Sequence, residues 1–369
     1  MSTDNKRKIA IFLPNLDGGG AEKVFVNLSS AFIKQGFAVD MLLIQKKGEL
    51  LDSLDAKVHI IDIDSKKIRG SFAPLLSYLR NHDPEILIAV MWPLTVIATI
   101  AFRLSRCSGR MVVSDHNTLS LSTATNSRSN KRMLAQTIKW IYPLADVRLA
   151  VSNGVAADIQ QLSGLFKSKF NVIYNPIDVT IQGDAAKGNL RGYFRIINVG
   201  SLKRQKNQAL LIKAFAKLLE HIDAELVIVG EGELRGELEK LIADLNLQHY
   251  VTLTGFKKDV AAEYIQSDLF VLSSDYEGFG NVIVEAMSAG VTVVSTDCQS
   301  GPREILAEGE YGRLVPVGDA DALAKAMLES LQQPQDEQVL KNRAADFSPE
   351  KIANQYLDVM FPERIDNYV

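Results

Sequence analysis

Cysteine is nearly absent. Cys107 and Cys298 are the only two in 369 residues, and neither has a CxxC pattern or a histidine cluster around it. A disulfide framework is excluded, a zinc site is disfavoured, and a reducing, cytoplasmic setting fits. Excess charge of one sign is missing too. Lys and Arg number 41 against 44 Asp and Glu, a formal net charge of −3, so no overall basic field invites nucleic acid. Long apolar runs are also lacking. The longest uncharged segment, ILIAVMWPLTVIATIAF at Ile86–Phe102, falls short of the roughly 20 residues of a membrane span, and Pro93 interrupts it. It reads as a buried strand, Ile86–Met91, followed by a helix opening at Pro93, where proline suits a first turn. The start, MSTDNKRKIAIFLPN, has too brief an apolar run before Pro14 and Asn15 to read as a signal peptide. GxGxxG and the Lys-Ser/Thr pair of a P-loop are both missing, which disfavours a dehydrogenase and a P-loop nucleotidase. There is no short-period repeat and no low-complexity tract.

What is present is a globular composition, 47% hydrophobic and 23% charged, in a chain too long for one ordinary core. Two domains of roughly 150–200 residues are expected. KIAIFLP (8–14) is a continuous apolar run, as a buried parallel strand should be. Apolar residues at helical spacing follow over Ala21–Gln35, with Gly36 as the stop. VDMLLIQ, KVHIIDI, EILIAV, RMVVSDH and VRLAVS are further strands with helical patterns between them. The second half repeats the rhythm. FRIINVGS, ELVIVG, YVTLTGF, LFVLSS and VTVVSTD alternate with helices such as Gln208–Glu220 and Glu233–Leu245. Alternation of this kind predicts an α/β fold, two doubly wound parallel sheets covered on both faces. The domains are expected at 1–178 and 193–349, with helix 350–369 returning to the first. The linker is Val179–Gly192, polar and carrying three glycines. In open α/β sheets, ligands bind outside the carboxyl ends of the strands.

Four strand ends carry chemistry. After the first strand, Gly18-Gly19-Gly20 opens a helix whose amides could bind an anion; an ordinary βα turn reads the same way. His116 stands at the exit of RMVVSDH, either as a structural histidine or as a site residue. Lys203, Arg204 and Lys206 fill a short loop after FRIINVGS, where cations would neutralise a diphosphate. In YEGFGNVIVEAMSAG (276–290), Glu277 follows a strand, Gly278 and Gly280 let a ligand approach the backbone, and Asn281 and Val282 open a helix. Glu285 lies one turn into that helix, among apolar residues. A carboxylate there either pairs with Lys206 or Arg303, or accepts the two hydroxyls of a ribose. Buried without a partner it would cost several kcal/mol, roughly.

The stretch E-G-F-G-N-V-I-V-E, Glu277 to Glu285, resembles the E-x7-E signature of retaining GT-B glycosyltransferases, in particular the large family-four group. G-G-A-E at Gly19–Glu22 resembles the glycine-rich first loop of bacterial members that build surface polysaccharides. His116, Asn175-Pro176 and Q-K-N at Gln205–Asn207 match further elements in the same order, over residues 8 to 345. The resemblance implies a GT-B architecture, two Rossmann-like domains facing across a cleft. Glu277 would contact hydroxyls of the donor sugar, together with the backbone of Gly278, Phe279, Gly280, Asn281 and Val282. Phe279 and Asn281 would line the pocket. Glu285 would bind the ribose, and Lys206 the diphosphate, helped by amides at Gly19 and Gly20. His116 would sit beside the transferred sugar. Ser201 departs from the family, which often has Arg there; Arg204 or Lys203 would supply that charge.

The implied reaction moves a hexose or N-acetylhexosamine from a UDP-linked donor to a lipid-linked or polysaccharide acceptor, with retention and without a metal or other cofactor. The segment Ser127–Leu144 combines basic residues with Met133, Trp140 and other apolar side chains. It reads either as a membrane-interface helix, giving a peripheral contact with the inner face of the membrane, or as a helix packed on its own sheet. Two rivals remain: a metal-dependent transferase of the other major fold using Asp62 and Asp64, and a non-catalytic nucleotide-sugar-binding module.

Overall fold

The structure, a computed structural model, describes residues 7–122, 128–166, 169–178, 181 and 191–363. Most of the expected linker lies outside these residues. The chain divides into two compact units. Unit 1 comprises Met1–Pro176 and Pro349–Val369; unit 2 is Ile177–Ser348.

Unit 1 is built on strands β1 (Lys8–Leu13), β2 (Ala38–Leu43), β3 (His59–Asp62), β4 (Ile86–Val90), β5 (Arg110–Asp115), β6 (Val147–Ala150) and β7 (Asn171–Val172). They form one sheet in the order β3-β2-β1-β4-β5-β6-β7, every pairing parallel. The strands with continuous apolar runs, β1 and β4, occupy the middle, where both faces are covered. Its helices are α1 (Gly20–Lys34), α2 (Phe72–His82), α3 (Leu94–Ser105), α4 (Leu119–Ser122), α5 (Arg128–Ile141) and α6 (Asn153–Ser163). Segment 86–102 thus becomes β4 and most of α3, with Pro93 at the N-cap position. Among the described residues, no helix is long and apolar enough to cross a membrane.

Unit 2 uses β8 (Phe194–Val199), β9 (Ala224–Val229), β10 (Val251–Gly255), β11 (Leu269–Leu272), β12 (Thr292–Thr296) and β13 (Arg313–Val315). The order is β10-β9-β8-β11-β12-β13, again parallel throughout. Helices α7 (Gln208–Leu218), α8 (Arg235–Asp244), α9 (Ala261–Ile265), α10 (Asn281–Ser288), α11 (Pro302–Ile305), α12 (Ala320–Gln332) and α13 (Glu337–Ala344) belong to it. Helix α7 starts at Asn207, whose side chain accepts from the Leu210 amide at 3.2 Å, an N-cap that fixes where the preceding loop ends.

The last helix, α14 (Pro349–Met360), packs in unit 1. Its Ile352, Tyr356, Leu357 and Met360 are buried in the same core as Phe25, Leu28 and Phe32 of α1. The Tyr356 ring meets those of Phe25 and Phe32 edge-on at 6.4 Å. Burying side chains of this size stabilises by about 1.5–3 kcal/mol each. The edge strands β7 and β13 are absent from the sequence reading. At two and three residues, with flanking polar positions, they show neither alternation nor a run.

Candidate active site

In both sheets the strand order reverses beside the first strand, between β1 and β4 in unit 1 and between β8 and β11 in unit 2. The loops after those strands flank the switch point where doubly wound sheets bind ligands.

In unit 2 these are residues 200–207 after β8 and 273–280 after β11, and side chains stitch them together. The Gln205 amide nitrogen donates to the Tyr276 carbonyl at 2.9 Å, and Asn207 Nδ2 to Asp275 Oδ1 at 2.8 Å. Ser273 Oγ donates to the Lys206 carbonyl at 2.9 Å. Lys206 Nζ lies 2.6 Å from Glu277 Oε1, which also accepts from Ser274 Oγ at 2.6 Å. The pair is largely out of water, with side-chain exposures of 18% for Lys206 and 7% for Glu277. Removing either partner would leave a desolvated charge. The lysine stem runs over Gly200, where an added Cβ would touch it at 3.5 Å. Cys298 lies near both charges, and burial pushes its thiol up to about 12, so it adds no third charge.

The glycines of this loop are required by geometry. Gly280 caps α10 with φ +102°, a left-handed conformation costly for other residues. Gly301 has φ +89°, and a Cβ there would fall 1.8 Å from the Phe279 carbonyl oxygen. That close approach lets Gln299 bridge Tyr276 beneath Glu277. The Phe279 ring, expected to line the pocket, is buried and meets Phe347 edge-on at 5.6 Å.

Glu285 also departs from expectation. It is half-buried rather than buried, because α10 turns Ile283, Val284, Ala286 and Met287 inward instead. Neither proposed cation pairs with it. Lys206 holds Glu277, and Arg303 bonds Asp297 and Glu308. The partner of Glu285 is neutral: the Tyr264 hydroxyl donates to Oε2 at 3.0 Å. Nothing in the sequence spacing pointed to this tyrosine, which arrives from α9. Arg204 differs as well. It is exposed and lines a recess of about 450 Å³ with Lys213 and Leu238, next to the Asn207–Asp275 bond. It makes no ion pair with the Lys206–Glu277 group, and Lys203 is likewise exposed.

In unit 1, the β1 loop does not present empty amides. Gly18 and Gly19 donate their N–H groups to Glu22 Oε2 at 2.8 and 2.9 Å, a carboxylate filling the positive end of α1. In this structure the Gly19 amide, expected to face a phosphate, is occupied by Glu22. Gly20 begins the helix itself. After β5, His116 is buried, with Nε2 3.0 Å from Ser114 Oγ and its ring 5.4 Å from that of Phe25. Burial, opposed by a hydrogen bond with Asn175, lowers its pKa to about 3, so the imidazole is neutral at physiological pH. Its neighbour Asp115 is fully buried and receives the Tyr142 hydroxyl at 3.0 Å. Burial raises that carboxyl to about 7. After β3, Asp62 Oδ1 accepts the Lys46 and Asp64 amides at 3.2 and 3.0 Å, so it shapes a turn. Among the described residues no cluster of His, Cys, Asp and Glu could hold a metal ion.

Two Rossmann-like units with parallel sheets are the architecture of the GT-B glycosyltransferases, and known proteins show the same family. The family pattern "Glycosyltransferase Family 4" matches residues 18–181 and "Glycosyl transferases group 1" matches residues 184–347. The N-acetylgalactosamine-N,N'-diacetylbacillosaminyl-diphospho-undecaprenol 4-alpha-N-acetylgalactosaminyltransferase of Campylobacter jejuni is 31% identical, over 95% of this chain and 98% of its own. The amylovoran biosynthesis glycosyltransferase AmsD of Erwinia amylovora is 25% identical over 96% of this chain and 99% of its own. The crystal structure of Anabaena HepE in complex with UDP superposes with a TM-score of 0.78 at 22% identity, covering 98% of this chain and all of that one. The chain belongs to glycosyltransferase family 4. Its two-domain GT-B fold replaces the rival in which Asp62 and Asp64 hold a metal on the other major transferase fold.

Proposed function

We propose that this glycosyltransferase moves a hexose or N-acetylhexosamine from a UDP-linked donor to a lipid-linked saccharide, with retention, in the synthesis of a bacterial surface glycan. The observation that carries the donor side is the Lys206–Glu277 pair at the switch point of unit 2, eight residues from a second carboxylate held by Tyr264. Lys206 has three N–H groups and Glu277 uses one; the diphosphate takes the others and gains charge as the glycosidic bond breaks. Glu277 holds sugar hydroxyls, Glu285 the ribose, and the amides of Gly280, Asn281 and Val282 the phosphates at the head of α10. No step requires a metal. His116, kept neutral, donates or accepts a hydrogen bond at the transferred sugar and does not act as an acid.

The acceptor side rests on the C. jejuni relative, whose name specifies an undecaprenol diphosphate acceptor, and on α5. That helix sends Leu134 and Ile138 into the core while Met133 and Trp140 stand 50% and 67% exposed beside Arg132 and Lys139. The inner face supports packing on the sheet, and the exposed basic and aromatic face supports the reading of a peripheral contact with an anionic membrane interface. The test is incubation with UDP-sugars and an undecaprenyl diphosphate-linked acceptor, in EDTA, with the anomeric configuration of the product read by NMR. An axial anomeric bond preserved from donor to product is expected. UDP binding without turnover on any lipid-linked acceptor would leave only a binding module. Loss of activity in EDTA would restore a metal to the mechanism.

A further inference from the structure

Glu285 sits on an exposed-enough face of α10 that its carboxylate would sample several rotamers if nothing held it. One side chain holds it among the described residues, and that side chain is immobilised from several directions. Tyr264 is fully buried, its ring 6.0 Å from Phe270 of β11, and its hydroxyl reaches Glu285 Oε2 at 3.0 Å and the Val282 carbonyl at 3.5 Å. The short helix α9 that carries it is itself pinned. Glu263 bonds Arg195 of β8 at 2.6 Å and also pairs with Lys257, while Ser267 Oγ donates to the Glu263 carbonyl at 2.7 Å. A phenol this deeply buried stays protonated, because burial and the nearby Glu285 charge raise its pKa. It is a fixed donor, aimed at one oxygen of a carboxylate that no cation neutralises.

We infer that Tyr264 is a positioning residue for Glu285, and that the Tyr264–Glu285 hydrogen bond sets the preference of this enzyme for ribonucleotide over deoxyribonucleotide donors. The inference rests on the reading of Glu285 as the ribose contact. With Oε2 anchored by the phenol, the carboxylate plane is fixed and its lone pairs meet a vicinal diol in one geometry. An analogue lacking one hydroxyl leaves an acceptor unmatched, and sites built on such contacts discriminate strongly. Without the anchor the carboxylate still attracts hydroxyls but no longer demands two at a set spacing.

The experiment is calorimetric titration of the full chain with UDP and with 2′-deoxy-UDP, comparing the ratio of the two affinities. The wild type should favour UDP by about tenfold or more, the scale of one hydrogen bond to a charged group. In Glu285→Gln the ratio should fall toward one. In Tyr264→Phe, which removes a single oxygen, it should fall about three- to tenfold, while the unfolding midpoint is checked separately. A wild-type ratio near one would overturn the ribose reading itself. A wild-type preference that Glu285→Gln abolishes and Tyr264→Phe leaves intact would overturn only the role of Tyr264. Should Tyr264→Phe not fold, 3-fluorotyrosine placed at position 264 gives a second measurement. Its fluorine resonance should move more on adding UDP than on adding 2′-deoxy-UDP; equal displacement by the two would count against the proposal.

Discussion

The strand ends of the two units handle buried polar groups differently. In unit 2 each carboxylate is held by a side chain from elsewhere in the chain: Glu277 by Lys206, together with Ser274 of its own loop, and Glu285 by Tyr264 of α9. In unit 1 burial pushes two groups after β5 toward their neutral forms: it lowers His116 to about 3 and raises Asp115 to about 7. A surface that must meet a diphosphate needs a cation, whose electrostatic effect persists only if the surrounding loops fix it. A surface that meets sugar hydroxyls gains from neutral donors and acceptors, which recognise without a large desolvation cost.

The sharpest way to break this contrast is to remove the cation. Lys206→Ala should lower kcat/KM by roughly 10²–10³, the scale of one transition-state donor, and Lys206→Arg should recover part of it, since a planar fork does not reproduce a compact ammonium. Arg204→Ala, at an exposed position, should change kcat/KM less than about threefold, within the range of a surface charge. Steady-state kinetics on both variants decides it, and equal losses would place Arg204 in the same electrostatic unit. Next comes the neutral side. His116→Ala should lower turnover by about ten- to a hundredfold, the cost of one unmade buried hydrogen bond, with affinity for bare UDP unchanged within a few fold. A parallel loss of UDP affinity would contradict its assignment to the sugar.

The smallest effect is on stability. His116, lowered to about 3, favours the folded state fully above its ordinary value near 6.5, and this is lost as pH falls toward 3. Asp115, raised to about 7, acts in the other direction: its contribution is complete below its ordinary value near 4 and is lost as pH rises to 7. Between about pH 4 and 6.5 the two slopes oppose each other. Asp115→Asn should expose the histidine slope, so stability relative to wild type climbs with pH by at most about 1.4 kcal/mol per unit. Urea denaturation at pH 4.5, 5.5 and 6.5 measures it; an unchanged pH profile would show that Asp115 titrates near its ordinary value when folded.

The central strands and the helices were legible because those strands are unbroken apolar runs and the helices carry a clear 3.6 period. The edge strands were not, since two or three residues hold no period. Lys206, Glu277 and Gly280 could be singled out because each lies in a loop after a strand and loop chemistry is local in sequence; the structure brings Lys206 and Glu277 into contact. Glu285 was placed on the right helix but assigned the wrong exposure and the wrong candidate partners. Apolar neighbours in sequence say nothing of which face a helical residue shares, and Tyr264 comes from 21 positions away. The partners of Phe279 and Gly19 were equally hidden. A ring beside two glycines could turn inward to Phe347, and an amide at a helix start could be filled by Glu22 three residues later.

Helix α14 has a consequence for how the protein is made. Unit 2 is one uninterrupted stretch, whereas unit 1 takes its last core layer, Ile352 to Met360, from the far end of the chain. On the ribosome, unit 2 has all its strands before unit 1 has its final helix. Phe25 and Phe32 wait without Tyr356 until α14 has been made, so unit 1 is completed after unit 2. Nascent chains arrested after residue 348 should therefore yield a protease-resistant unit 2 attached to a degradable unit 1, and resistance of both units would mean that α14 is dispensable for the first core.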